Sequence, residues 1–166
     1  MYRKIHALVY SALIAALYTV LTLLQNLLLP NSATMAIQFR VAEALCVLAF
    51  FTPAAISGLG VGCLLANLLS GQALPLDFLV GTLASIGAAG SMWALRNRQI
   101  RGYPLAGMLM PAVWNAALVG WELTAYVGGG FRLNAAAVAA GELAVLLSLG
   151  SALYAALRAR PGALKF

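Results

Sequence analysis

Long apolar runs, broken by short polar, glycine or proline punctuation, organise this chain. The runs do not alternate apolar with polar at a period of two, so they lack the strand pattern of a transmembrane barrel. Several approach about 20 residues, the length at which a helix crosses a ~30 Å hydrocarbon layer. The punctuation predicts six helices, over about 7–29, 36–51, 54–69, 76–95, 105–127 and 134–157. Pro30-Asn31-Ser32 stops the first. Pro53 stops the second, because proline lacks an amide hydrogen and crowds the preceding turn. Ser70-Gly71-Gln72, the segment RNRQIRGYP and Gly128-Gly129-Gly130 mark later breaks. The second and third helices are short for full spans, which predicts tilt or a locally thin crossing. The first apolar run is too long for a signal-peptide core and shows no clear cleavage site, so it reads as a retained helix.

Composition places these helices in a membrane. The chain has 166 residues, 63% hydrophobic and 8% charged, whereas a soluble domain is about a quarter charged. The formal charge of +6 reflects where the cations sit rather than a nucleic-acid partner. Arg3 and Lys4 precede the first helix, Arg96, Arg98 and Arg101 follow the fourth, and Arg158, Arg160 and Lys165 form the tail. Six spans put all eight on one side, with Arg40 and Arg132 toward the other. The expectation is therefore a single membrane domain with both termini cytoplasmic. Cys46 and Cys63 lie in apolar runs without a CxxC pair or ligand cluster and read as packing thiols.

With that orientation all four acids, Glu43, Asp77, Glu122 and Glu142, fall in the extracytoplasmic half. Ionisable groups at membrane depth are costly and face a bundle interior or a cavity. Neutral Gln38, Asn67 and Asn115 join them. Asn115, Leu118 and Glu122 share a helix face, beside a stripe of Trp114 and Trp121. An acid, an amide and two indoles suit a flat, hydrogen-bonding ring. Plainer roles stand beside this one. Arg40 and Glu43, three apart, pair with each other; Trp121 anchors at the interface; Asp77 caps the fourth helix. Glu122 and Glu142 have no basic partner on their own helices, so each calls for a partner, a proton or a ligand.

Small residues recur at four-residue spacing: Gly58, Gly62 and Ala66; Gly81, Ser85 and Ala89; Ala137 and Gly141. Such stripes let helix backbones approach closely in lipid. The pairs Ser11/Ala15 and Ala12/Ala16, near the cytoplasmic end of the first helix, offer either packing or a docking face for another membrane subunit. No GxxxxGK[ST] is present, so P-loop ATP hydrolysis is excluded. His6 stands alone, and the hydroxyl residues lack a nearby base. Neither an enzyme site nor a metal or other cofactor is expected.

The stretches AIQFRVAEALCVLAFFTPAAISGLGVGCLLANLLS, PAVWNAALVGWEL and GELAVLLSLG occur in the order found in the QueT family, which the chain resembles. That family comprises queuosine-precursor S components of energy-coupling factor (ECF) transporters. The resemblance implies an S-component-like bundle of six transmembrane helices in the cell membrane. It implies extracytoplasmic binding of a 7-deazaguanine (preQ1 or preQ0), a membrane scaffold partner, and two cytoplasmic ATPases. It also implies scaffold docking through the first-helix stripe, in the Ser11/Ala15 or Ala12/Ala16 register. The site residues expected are Glu122, Glu142, Asn115, Trp121, Asn67, Trp114, Gln38, Arg40, Glu43 and Asp77. Alternatives are an S component for another heterocyclic vitamin or nucleobase, an integral-membrane enzyme, and an assembly subunit without a small ligand.

Overall fold

The computed structural model describes residues 2–30, 39–71 and 73–160. They form α1 (Tyr2–Leu28), a 3-10 helix (Val41–Phe50), α2 (Ala54–Leu69), α3 (Asp77–Leu95), α4 (Met110–Tyr126) and α5 (Phe131–Arg158). A single turn, Leu105–Met108, leads into α4, and a π-helical turn, Leu146–Gly150, interrupts α5. By length and composition α1, α3 and α5 can each cross a membrane. The bundle is apolar outside and polar within. On α1, Leu8, Leu13, Leu17, Val20 and Leu27 are exposed, whereas Tyr18, Thr19 and Gln25 are buried. Water would reverse that arrangement; hydrocarbon favours it.

The second element differs from the α-helix expected over 36–51. Helix begins only at Val41, and it is wound as a 3-10 helix; residues 36–38 lie outside the described residues. Arg40 has extended backbone, at φ −101° and ψ 97°. The Gln25 side chain accounts for this. Its amide nitrogen donates to the Phe39 carbonyl, and its carbonyl accepts from the Val41 amide at 2.8 Å. A primary amide thus pairs with residues 39 and 41 as a neighbouring strand would. The tighter winding also explains the shortness. A 3-10 helix rises about 2.0 Å per residue against about 1.5 Å for an α-helix, so ten residues reach about 20 Å. Eight of those ten residues are buried, because α1, α2, α3 and α5 all pack around this segment.

Glycines set the closest helix approaches. A Cβ at Gly62 would lie 2.8 Å from Tyr18 Cβ and 2.9 Å from the Ala15 carbonyl, and one at Gly58 would lie 2.9 Å from the Ser11 carbonyl. The Gly58/Gly62 stripe on α2 is therefore filled by α1. Likewise Gly120 of α4 receives Ala135 of α5, and Gly87 of α3 receives the Trp114 indole. At the basic end Tyr154 packs against Phe50, Phe51 and Tyr103, with ring centroids 5.6–5.7 Å apart. Arg158 donates to the Gly102 carbonyl and so joins the end of α5 to the loop after α3. That loop turns through Arg101 and Gly102, both at positive φ.

Gly62→Val should lower the thermal unfolding midpoint in detergent, since overpacking of this kind costs about 1–3 kcal/mol. Gly71→Ala, where a Cβ meets nothing within 4 Å, should leave the midpoint unchanged.

Candidate binding site

The 3-10 winding assembles one wall of the site. With three residues per turn, positions three apart stack in a column, so Glu43 and Cys46 project from one edge of this element, and Arg40 precedes it in extended backbone, its carbonyl accepting from the Glu43 amide at 3.0 Å. Glu43 is fully buried. It accepts a hydrogen bond from the Tyr18 hydroxyl at 2.5 Å and one from the Cys46 thiol at 3.0 Å. Arg40, 7% exposed, borders the same small cavity as Tyr18, Asn67 and Asp77. Glu43 therefore takes its hydrogen bonds from α1 and from its own helix, while Arg40 reaches across to α2 and α3.

The second wall is α3. Asp77, Gly81 and Ser85 lie four apart and are buried on one face. The Asp77 carboxylate accepts from the Leu74 amide at 2.7 Å, closing the turn that precedes α3, and no side chain caps the start of that helix. The Asp77 carbonyl accepts from Asn67 of α2 at 2.7 Å. Gly81 makes room for this contact: a Cβ there would meet Asn67 Nδ2 at 2.9 Å and lie 3.8 Å from an Arg40 nitrogen.

α4 and α5 complete the enclosure. Asn115, Val119 and Glu122 form the buried face of α4, and Val138, Gly141, Glu142 and Val145 that of α5. Glu122 lies within electrostatic reach of Asp77 and Arg40, and Glu142 within reach of Glu43 and Arg40. One arginine thus sits among four buried acids. Both oxygens of Glu142 and Asn115 Nδ2 are buried without a hydrogen-bond partner among the described residues, while Glu122, beside Asp77 and the Leu76 backbone, and Ser85, beside Cys63, are buried without a well-formed one. An unsatisfied buried polar atom costs about 1–3 kcal/mol, and a charged one costs more. Three helices therefore carry poorly satisfied polar atoms in the interior, an arrangement that a ligand with donors for the carboxylates and an acceptor for the Asn115 amide would satisfy.

Of the residues expected from sequence, Arg40, Glu43, Asn67, Asp77, Glu122 and Glu142 come together, and Asn115 is buried on α4 two turns from Glu122. Gln38 lies outside the described residues. Trp121, 53% exposed, is on the outer surface of α4 and not with the cluster. Trp114 is also largely outward: its ring covers Gly87, and its nitrogen donates to Ser91 at 3.0 Å. Their one-position offset from Asn115 and Glu122 turns both indoles about 100° away around the helix. On α1, Ser11 donates to the Ala54 carbonyl at 2.8 Å and Ala15 is buried, whereas Ala12 and Ala16 are exposed. Sequence reasoning missed Tyr18, Gln25, Ser85 and Cys46. For Gln25 the signal was available, as an amide deep in an otherwise apolar run. Ser85 was seen only as a packing residue, because its stripe also contains Gly81 and Ala89.

A family model described as QueT transporter matches residues 8–159. No curated protein and no solved structure matches the chain. With its long apolar helices, the match makes this a multi-pass membrane protein of transport.

Proposed function

The chain belongs to the QueT transporter family, and on that premise we propose that it is the S component, the substrate-binding membrane subunit, of an ECF-type importer for a queuosine precursor. The observation that carries this reading is the set of buried polar atoms on Ser85, Asn115, Glu122 and Glu142 that lack a well-formed hydrogen bond. A 7-deazaguanine presents N1–H and a 2-amino group side by side. One carboxylate accepts both in a charge-assisted bidentate contact, and Glu122 or Glu142 supplies it. The Asn115 amide donates to the ring carbonyl. Four acids around one arginine favour a cationic aminomethyl substituent, as in preQ1, over a neutral nitrile, as in preQ0. Stacking is not assigned to Trp114 or Trp121, whose rings face outward.

Energy for transport comes from partners in this reading, a membrane scaffold and two cytoplasmic ATPases, since the chain has no P-loop sequence. Scaffold docking falls to the Ala12/Ala16 register of α1. Those two residues are exposed, whereas Ser11 and Ala15 are engaged with α2. A shallow groove lined by Leu8, Ser11, Ala12, Ala15, Ser57 and Val61 runs beside them. The charge bias places this stripe at the cytoplasmic end, where such a partner would be met.

Thermal-shift and calorimetric titration of the purified protein with preQ1, preQ0, guanine, riboflavin and thiamine tests the reading. A deazaguanine should stabilise the protein, and the others should not. Stabilisation by riboflavin or thiamine instead would identify a different S component, and no response to any of them would favour a subunit without a small ligand. Glu122→Gln and Glu142→Gln should each weaken deazaguanine binding at least tenfold, about 1.4 kcal/mol. If both variants bind as the wild type does, the carboxylate assignment is wrong. Preference for preQ1 over preQ0 should shrink as salt rises; equal binding of both at low and high salt would remove the charge argument.

A further inference from the structure

We propose that Gln25 of α1 is a positioning residue for ligand binding, which acts by clamping the backbone on either side of Arg40. The proposal rests on the functional reading above. Gln25 is 7% exposed and belongs to α1 rather than to the segment that carries Arg40 and Glu43. Its side chain nevertheless spends a donor on the Phe39 carbonyl and an acceptor on the Val41 amide. Those two backbone groups bracket Arg40, which is held extended. The Arg40 carbonyl then accepts from the Glu43 amide at 3.0 Å, the contact that opens the 3-10 helix. The clamp therefore sets both the position of Arg40 and the phase of the winding that stacks Glu43 and Cys46.

The alternative conformation is the one the local sequence favours. The apolar pattern over 36–51 reads as continuous α-helix. In that winding, residues three apart are offset by about 60° around the axis, and Glu43 and Cys46 would no longer form a column. A carboxamide is the side chain that can oppose this, because it carries a donor and an acceptor side by side. Leucine offers neither. Glutamate, when ionised, offers no donor to the Phe39 carbonyl. With the clamp gone, the guanidinium loses its fixed place among the acids, and ligand affinity should fall even though Gln25 does not touch the ligand.

A double-mutant cycle on the full-length protein in lipid nanodiscs tests this, with preQ1 as the probe and calorimetry as the readout. Gln25→Leu should weaken binding about tenfold. Arg40→Met should weaken it at least as much. The double variant should be no weaker than Arg40→Met alone, because Gln25 acts through Arg40. If Gln25→Leu does not fold, Gln25→Met replaces it; if Arg40→Met binds too weakly to titrate, Arg40→Gln, which also removes the cation, replaces it. Hydrogen exchange of the Val41 amide without ligand should speed up in the Gln25 variant. Additive losses, wild-type affinity in Gln25→Leu, or an unchanged Val41 exchange rate would each overturn the inference alone. A wild-type protein that binds none of the deazaguanines would overturn the functional reading and this inference with it.

Discussion

Hydrocarbon offers no hydrogen bonds, and every polar group at membrane depth must find its partner inside the protein. This constraint orders the whole chain. The backbone answers it by winding into helices. The side chains answer it by turning inward, so that Tyr18, Arg40, Glu43, Asp77, Glu122 and Glu142 are buried while leucines and valines cover the outside. Most of the interior polar groups are matched: Glu43 by Tyr18 and Cys46, the Asp77 carboxylate by the Leu74 amide, and the Asp77 carbonyl by Asn67. The exceptions among the described residues are Asn26 Oδ1 on α1 and the group of atoms on α3, α4 and α5.

The 3-10 helix connects packing to binding. It is enclosed by helices, so its side chains point into the interior around most of its circumference. Its winding aligns Glu43 and Cys46, which an α-helix would splay. Close helix approaches around it depend on missing side chains: Gly58 and Gly62 admit α1, and Gly81 admits Asn67 beside Arg40. Lipid gives apolar side chains little reason to associate, so this close contact has to hold the bundle together. The same helix, α1, contacts the cavity through Tyr18 and the Arg40 segment through Gln25, while its opposite face leaves Ala12 and Ala16 exposed. One rigid helix thus borders both the polar interior and the proposed docking surface.

Most of the helices could be read directly. Punctuation at Pro53, Ser70-Gly71-Gln72 and the triple glycine placed their ends within a few residues, because proline and glycine act locally on backbone geometry. The break at Leu109 and the π turn at Leu146–Gly150 were not legible. The first follows from Pro111 at the start of α4, inside an unbroken apolar run. The second depends on contacts far along the chain, including the Ser151–Tyr103 hydroxyl pair. For the site, seven residues could be named from charge and depth. The indoles were misjudged as neighbours of the cavity, because a one-residue offset on a helix is small in sequence and about 100° in space.

The sequence by itself determined that this chain lives in a membrane, which way its charges divide, and that its acids gather in one half. Those properties follow from composition and position, and no fold can alter them. Tertiary structure decided that Arg40 stands in extended backbone, that the next ten residues wind as a 3-10 helix, and that Ser11 and Ala15 rather than Ala12 and Ala16 face inward. Each of these is a choice between locally similar alternatives. It is settled by a partner distant in sequence, Gln25 for the first two and the α2 glycines for the third, and local pattern carries no record of such partners.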